Sequence, residues 1–272
     1  PDVLVMTATP IPRTLTLTIY GDLDVSVLDE LPAGRGKIIT GVRVRPKVSE
    51  MTKFLKAQLE KGRQLYLVYP LVEDSESIKA ASAVAEHPKW EKRFKHFEVG
   101  LLHGKMPSEE KESVMTRFRD AKTEVLVATT VIEVGVDVPN ANVMVIFNAE
   151  RFGLAQLHQL RGRIGRGEHK SYCVLVTDGK SSDALDKLNI LARTLDGFEI
   201  AEEDLRLRGP GEILGTQQSG VGGLRFVEFL ADTSLIREAR EVAEEVLRDD
   251  PRLEKNPQLK KWAIEQADVE MS

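Results

Sequence analysis

The sequence predicts an α/β fold, a doubly wound parallel sheet followed by a helical carboxyl-terminal region. Three features predict it. Short apolar, β-branched runs recur up to about residue 180, stretches with helical periodicity separate them, and from about residue 181 onward the strand signal is gone. Continuous apolar runs suit parallel strands covered on both faces, and their alternation with helices reads as βαβ units.

In chain order, the spacing predicts strands at 3–6, 65–69, 99–102, 125–128, 143–147 and 172–176, with helices over 49–61, 78–94, 108–118 and 154–164 between them. Residues 1–45 hold one strand and then Leu31-Pro32-Ala33-Gly34-Arg35-Gly36, a Pro- and Gly-bearing connector with the look of an inter-domain linker. We therefore expect the end of one domain and a linker over residues 1–45, a second α/β domain over 46–180, and helices over 181–272. Leu235, Ala239, Val242 and Val246 recur at helical spacing, and Asp249-Asp250-Pro251 ends that helix. A last short helix is expected over 258–266.

Composition narrows the function classes. The 272 residues are 42% hydrophobic and 30% charged, which fits a globular chain with a real core. No apolar run approaches the ~20 residues of a membrane span, and no basic-then-apolar leader opens the chain, so no membrane partner is expected. The single Cys173 excludes an internal disulfide framework and a thiolate zinc cluster, and a reducing cytosol suits it. A net charge of −5 disfavours a globally basic nucleic-acid binder, although binding depends on where cations cluster.

The strongest chemical signal is Gln156-Leu157-His158-Gln159-Leu160-Arg161-Gly162-Arg163-Ile164-Gly165-Arg166-Gly167. On a helix, Gln159, Arg163 and Arg166 would share one face and Leu157, Leu160 and Ile164 the other. Gly162 and Gly165 would each cost that helix roughly 1 kcal/mol relative to alanine, a cost that makes sense where another backbone or a phosphate comes close. Fixed guanidinium groups suit the charge that develops on a transferring phosphoryl group. A solvated basic face is the bland alternative, and the Gln-x-x-Gly-Arg-x-Gly-Arg spacing argues against it.

That segment resembles motif VI of the superfamily 2 helicases, whose two arginines reach ATP bound on a partner domain. The resemblance implies a RecA-like sheet, with Arg163 and Arg166 catalytic and Gln159 nucleotide-binding. Residues 125–139, Val-Leu-Val-Ala-Thr-Thr-Val-Ile-Glu-Val-Gly-Val-Asp-Val-Pro, resemble motif V, which implies that Thr129 contacts the nucleic-acid backbone and that Gly135 and Asp137 approach the nucleotide. The loop after a strand's carboxyl end is where α/β sheets bind ligands. Met6-Thr7-Ala8-Thr9-Pro10 resembles motif III, implying that Thr7 and Thr9 couple hydrolysis to movement. Residues 64–73 resemble motif IV, and Leu101-Leu102-His103-Gly104-Lys105-Met106 the next strand and loop, which implies DNA contacts from His103 and Gly104.

Residues 196–220 resemble the translocation motif shared by the RecG family and the transcription-repair coupling factor, a helical hairpin and loop. The motif's functional Arg and Gln fall on Arg208 and Gln218, and its earlier arginine falls on Lys187, which keeps the charge but loses the planar fork. Tyr20-Gly21-Asp22-Leu23 and Leu207-Arg208-Gly209-Pro210-Gly211-Glu212 favour RecG.

A complete motor also needs a Walker A loop to hold phosphates. Gly179-Lys180-Ser181 offers its end, but Val174 stands where the first glycine belongs, and Val25–Glu30 mimics a Walker B strand without a phosphate loop before it. The expectation is thus a fragment beginning at motif III, with ATP and Mg²⁺ held mainly by a first motor domain that the chain lacks. That domain, an amino-terminal wedge domain and branched or duplex DNA are the implied partners. The implied function is half of an ATP-dependent helicase acting on stalled forks and four-way junctions in a bacterial, nucleoid-associated cytoplasmic setting. The alternatives are the coupling-factor motor and a non-catalytic nucleic-acid-binding module.

Overall fold

The computed structural model describes Leu4, Ser26 and residues 36–70, 81–130, 137–208 and 233–270. The strand expected at 3–6, Thr7, Thr9, the connector up to Arg35, Gly135 and residues 209–220 with Gln218 lie outside them. The described residues fall into two compact units, and one boundary between them along the chain falls within a helix, between Ala201 and Glu202.

Six strands form one sheet among the described residues: β1 (Ile38–Val44), β2 (Gln64–Val68), β3 (Val99–Leu102), β4 (Val125–Ala128), β5 (Ala141–Ile146) and β6 (Ser171–Thr177). Their order is β1-β6-β5-β2-β4-β3, and every pairing is parallel. The chain runs outward from β2 to β3, returns to β4, then crosses β2 to reach β5. That reversal is where a doubly wound sheet opens a crevice at its carboxyl edge. Every residue of β2, β4 and β5 is buried, as their continuous apolar runs demand.

Helices α1 (Val48–Leu59) and α2 (Ala81–Arg93) cover one face through Leu55, Leu59, Trp90 and nearby Phe94 against Leu65, Leu67, Val143 and Val145. Helices α3 (Ser108–Arg119), α4 (Leu154–Arg161) and α5 (Ser182–Arg193) cover the other. There Phe118, Leu154, Leu157, Leu160, Leu188 and Leu191 pack on Tyr66, Leu126, Met144 and Leu175. Each fully buried leucine or phenylalanine contributes about 1.5–3 kcal/mol through the water it sheds.

Strand β1 departs from the sequence reading, which gave residues 1–45 one early strand and a connector. Ile38–Val44 runs parallel to β6 over its whole length and forms the edge of the sheet. Its residues are half-buried or exposed, with Gly41 and Arg43 breaking the apolar run, so its pattern lacks the signature of a strand covered on both faces.

Helix α6 (Gly197–Arg208) ends the first unit and begins the second, and α7 (Thr233–Asp249) and α8 (Pro257–Glu270) follow. Between α7 and α8 the Asp250 carboxylate accepts the backbone N–H groups of Glu254 (2.8 Å) and Lys255 (2.7 Å), closing the turn where the sequence predicted a stop. The expected apolar stripe of α7 faces outward at Val242, and α8 exposes Trp262 and Ile264. No helix of the described residues is long and apolar enough to cross a membrane.

Candidate functional site

The arginine-bearing segment follows α4, and its conformation differs from a continued helix. The helix ends at Arg161, Gly162 caps it, and the backbone turns left-handed at Gly165 (φ 77°). Arg163 therefore sits in a turn and Arg166 in the loop beyond it, and the shared helical face with Gln159 does not form. The apolar half of the expectation holds: Leu157, Leu160 and Ile164 are buried together.

The glycines answer to close backbone approach. A Cβ on Gly165 would meet Ile38 Cγ1 at 2.6 Å, and one on Gly167 would meet the Pro139 carbonyl oxygen at 2.7 Å. The Gly167 carbonyl in turn accepts the Gly36 N–H at 2.8 Å. Gly167 lies against Pro139, two residues beyond Asp137, so this packing brings Asp137 to Arg166. Arg166 Nη1 stands 3.5 Å from Asp137 Oδ1, and its Nε donates to the Gly162 carbonyl at 3.3 Å. Both side chains keep some exposure, 28% for Arg166 and 57% for Asp137, so a ligand can compete for either.

Arg163, partly buried in the turn, acts on the same neighbour as Arg166 and Asp137. Burial pushes the hydroxyl of Tyr66, on β2, above its ordinary pKa; Arg163 and then Arg166 pull it down, and Asp137 adds to the rise. The buried Tyr66 thus feels all three charges, which the sequence did not single out. Gln159 is half-buried on α4.

A second set of groups sits where β3 and β4 end. Thr129 is fully buried, its N–H bonded to the Leu102 carbonyl at 3.1 Å, and its hydroxyl has no hydrogen-bond partner among the described residues. His103, one residue past Leu102, has a buried Nδ1 that is likewise unpartnered, while its N–H donates to Met106 Sδ at 3.3 Å. Gly104 lies exposed in the adjoining turn. Buried polar atoms are nearly always satisfied, so two orphans on adjacent strand ends point to an external partner.

Lys187 on α5 donates from Nζ to the Glu150 carbonyl at 3.1 Å. A carbonyl accepts one proton from an ammonium group and needs no planar fork, so lysine suffices for this contact. The Glu150 carboxylate leaves Oε2 buried without a partner among the described residues. Arg208 is the last residue of α6, directly before the Gly-Pro-Gly run, rather than within it. Its side chain lies outside the described residues.

Gly179-Lys180-Ser181 is the turn between β6 and α5. Lys180 pairs with Asp178 at 3.1 Å and Ser181 caps α5, so the segment serves as a helix start. Among the described residues no group of three or more His, Cys, Asp or Glu is arranged to hold a metal ion.

One further residue escaped the sequence reading. Arg161 is only 2% exposed, and it donates to the carbonyls of Leu191 (2.7 Å) and Thr194 (2.8 Å) and to His158 Nδ1 (3.0 Å). The signal was present: Leu154, Leu157 and Arg161 follow i, i+3, i+7, which puts Arg161 on the buried face of α4.

Residues 46–168 match the helicase conserved C-terminal domain family, and residues 194–266 match the family described as ATP-dependent DNA helicase RecG, domain 3, C-terminal. The chain is 54% identical to an ATP-dependent DNA helicase RecG of Synechocystis sp. over 96% of its own length and 31% of the relative's. It is 50% identical to that of Aquifex aeolicus over 97% of this chain and 34% of the relative. A solved structure of RecG bound to a three-way DNA junction superposes with a TM-score of 0.67 at 46% identity, covering 86% of this chain and 30% of that one. The chain therefore spans about a third of the length of the curated relatives it matches.

Proposed function

This chain belongs to the RecG helicase family, and on that basis we propose that it forms the carboxyl-terminal motor half of an ATP-dependent helicase that remodels branched DNA. The observation that carries the reading is the pairing of Arg166 with Asp137, with Arg163 three residues earlier in the same turn-and-loop segment that leads into β6. Two guanidinium groups held on a rigid turn suit a phosphoryl group that spreads charge over its outer oxygens as it transfers. Bound ATP would exchange Arg166's partner, phosphate for Asp137, and free Asp137 to accept a hydrogen bond from the nucleotide. The cationic donors fit phosphate; Mg²⁺ and the phosphate cradle fall to the family's first motor domain, whose Walker elements this chain lacks.

Thr129, His103 and Gly104 form the DNA-backbone contact in this reading. Thr7, Thr9, Lys187, Arg208 and Gln218 couple hydrolysis to movement, with Gly135 and Gln159 near the nucleotide. The setting is the bacterial cytoplasm at the nucleoid, and the wedge and first motor domains of the same protein are the partners. The coupling-factor and binding-module alternatives draw no support from relatives that carry the RecG name at half identity or more.

In the full-length protein, Arg163→Ala should lower kcat for DNA-stimulated ATP hydrolysis on the order of 10³-fold, with DNA affinity unchanged. Steady-state kinetics beside DNA-binding titrations check this. Normal hydrolysis with weakened DNA binding would move Arg163 to a basic-patch role and end the proposal.

A further inference from the structure

Of the three arginines in residues 161–166, Arg161 faces away from the nucleotide cluster and into the protein. It lies one residue before the Gly162 cap and two before Arg163, so whatever fixes Arg161 fixes the start of the arginine turn. Its bonds go to a specific place. Helix α5 ends at Arg193, with Leu191 among its last carbonyls and Thr194 as its cap. The final carbonyls of a helix lack intrahelical donors and carry the negative end of its dipole. One nitrogen of the guanidinium satisfies two carbonyls from that end, and another reaches His158 Nδ1 one turn back on α4.

The setting makes these bonds matter. A buried cation costs several kcal/mol unless hydrogen bonds replace its hydration, so the arrangement holds only while all its acceptors stay in place. Burial lowers the Arg161 pKa, yet arginine stays charged in any protein environment. His158, with burial and then Arg161 holding its pKa down to about 4, stays neutral and can accept through Nδ1. Toward its amino-terminal half α5 is tied a second time, by Lys187 to the Glu150 carbonyl in the turn that precedes α4. Helix α5 is therefore fastened to both sides of α4.

We infer that Arg161 is a positioning residue: by binding the carboxyl end of α5 and His158, it sets the seat of the turn that aims Arg163 and Arg166 at the transferring phosphate. The inference rests on the proposed role of those two arginines. A phosphoryl transition state is sensitive to placement, and a misplacement of about 1 Å costs on the order of 10²-fold in rate. Ground-state nucleotide binding, carried mainly by the other motor domain, is far less sensitive.

The test uses the full-length protein with Arg161→Met, Arg161→Lys, His158→Leu and His158→Asn. Arg161→Met removes all three bonds, Arg161→Lys keeps the charge without the fork, His158→Leu removes one acceptor, and His158→Asn places an oxygen where Nδ1 stood. For folded Arg161→Met, kcat should drop on the order of 10²-fold while the affinity for a non-hydrolysable ATP analogue stays within about twofold. Affinity for ADP with a planar metal fluoride, which imitates the transferring phosphoryl group, should fall with kcat. Arg161→Lys and His158→Leu should be intermediate, and His158→Asn near wild type. If Arg161→Met fails to fold, the other three carry the same ordering. Near-wild-type kcat in Arg161→Met and Arg161→Lys would overturn the inference, as would equal losses of kcat and analogue binding. An Arg163→Ala control separates the two failures: if it too hydrolyses ATP normally, the proposed function falls, and if it does not, only the role of Arg161 falls.

Discussion

Gln64 and Thr129 are equally buried at opposite ends of the same central strands, and the protein treats them differently. At the amino edge, Gln64 Nε2 donates to the carbonyls of Phe118 and Thr123, and its Oε1 accepts from Asn140, whose amide also reaches the Gly62 carbonyl. Arg63 adds a bond to Asn140 Oδ1 at 3.2 Å. At the carboxyl edge the Thr129 hydroxyl, His103 Nδ1 and Glu150 Oε2 are buried without partners among the described residues. The amino edge is not free of orphans, since Asn142 Oδ1 has no partner there, although its amide donates to Ser171. The polar groups around Gln64 are largely satisfied within the fold, whereas three at the carboxyl edge are left open, the pattern expected where a polar ligand binds.

The largest effect should come from breaking the satisfied edge. Gln64→Ala strands the Thr123 carbonyl inside the protein, leaves the Phe118 carbonyl to its backbone donors and opens a small cavity, which should cost about 2–5 kcal/mol of stability. Chemical denaturation of the isolated chain measures it. Per folded molecule, the full-length variant should hydrolyse ATP at the wild-type kcat. A variant that stayed stable but lost activity would show that the amino edge is more than scaffold.

Thr129→Val should do the reverse. The methyl group fills the hydroxyl's place and removes an unsatisfied donor, so stability should hold or rise by about 1 kcal/mol. DNA affinity should fall, because in the proposed reading the hydroxyl left unpartnered in the fold meets a phosphate oxygen when DNA binds. If Thr129→Val bound DNA normally and lost stability instead, its hydroxyl would have to be satisfied within the fold, and the contrast between edges would lose its best example.

The same contrast explains what the sequence could reveal. Buried strands announce themselves by apolar runs, so β2 to β6 were legible within a residue or two. The edge strand β1 was not, because Gly41 and Arg43 interrupt it and only one side is paired. The residue types of the site were legible from spacing; its geometry was not. Helical periodicity placed Arg163 and Arg166 on α4, but the close approach of Gly165 to Ile38 and of Gly167 to Pro139 is a tertiary fact, and it ends the helix at Arg161. Arg161 read as one more cation in a basic motif, since only its register with Leu154 and Leu157 betrays its burial. Tyr66 drew no notice because a tyrosine on a core strand is ordinary until charges are found around its hydroxyl.

The last expected effect concerns acid and shows that not every polar group on the helices beside the site is held open. His158 is satisfied by Arg161, and its imidazole is held neutral in the fold, with a pKa of about 4 set by burial first, then by Arg161, against a weaker pull from Asp196. In the unfolded chain the imidazole returns to its ordinary value near 6.5. Between these two values the unfolded chain binds a proton that the folded chain refuses, so acidification through that window favours unfolding. The stabilisation from a neutral His158 is complete above about pH 6.5 and is lost as the pH falls toward 4. Thermal melting of the isolated chain at pH 7.5 and pH 5 reads this effect together with every other titrating group, so the comparison must be with His158→Asn, which keeps an acceptor for Arg161 and cannot titrate. Wild type should lose more melting temperature between the two pH values than His158→Asn does, while the two melt alike at pH 7.5. Equal losses would mean that His158 titrates in the fold as it does in water, and that the Arg161 contact does not hold it neutral.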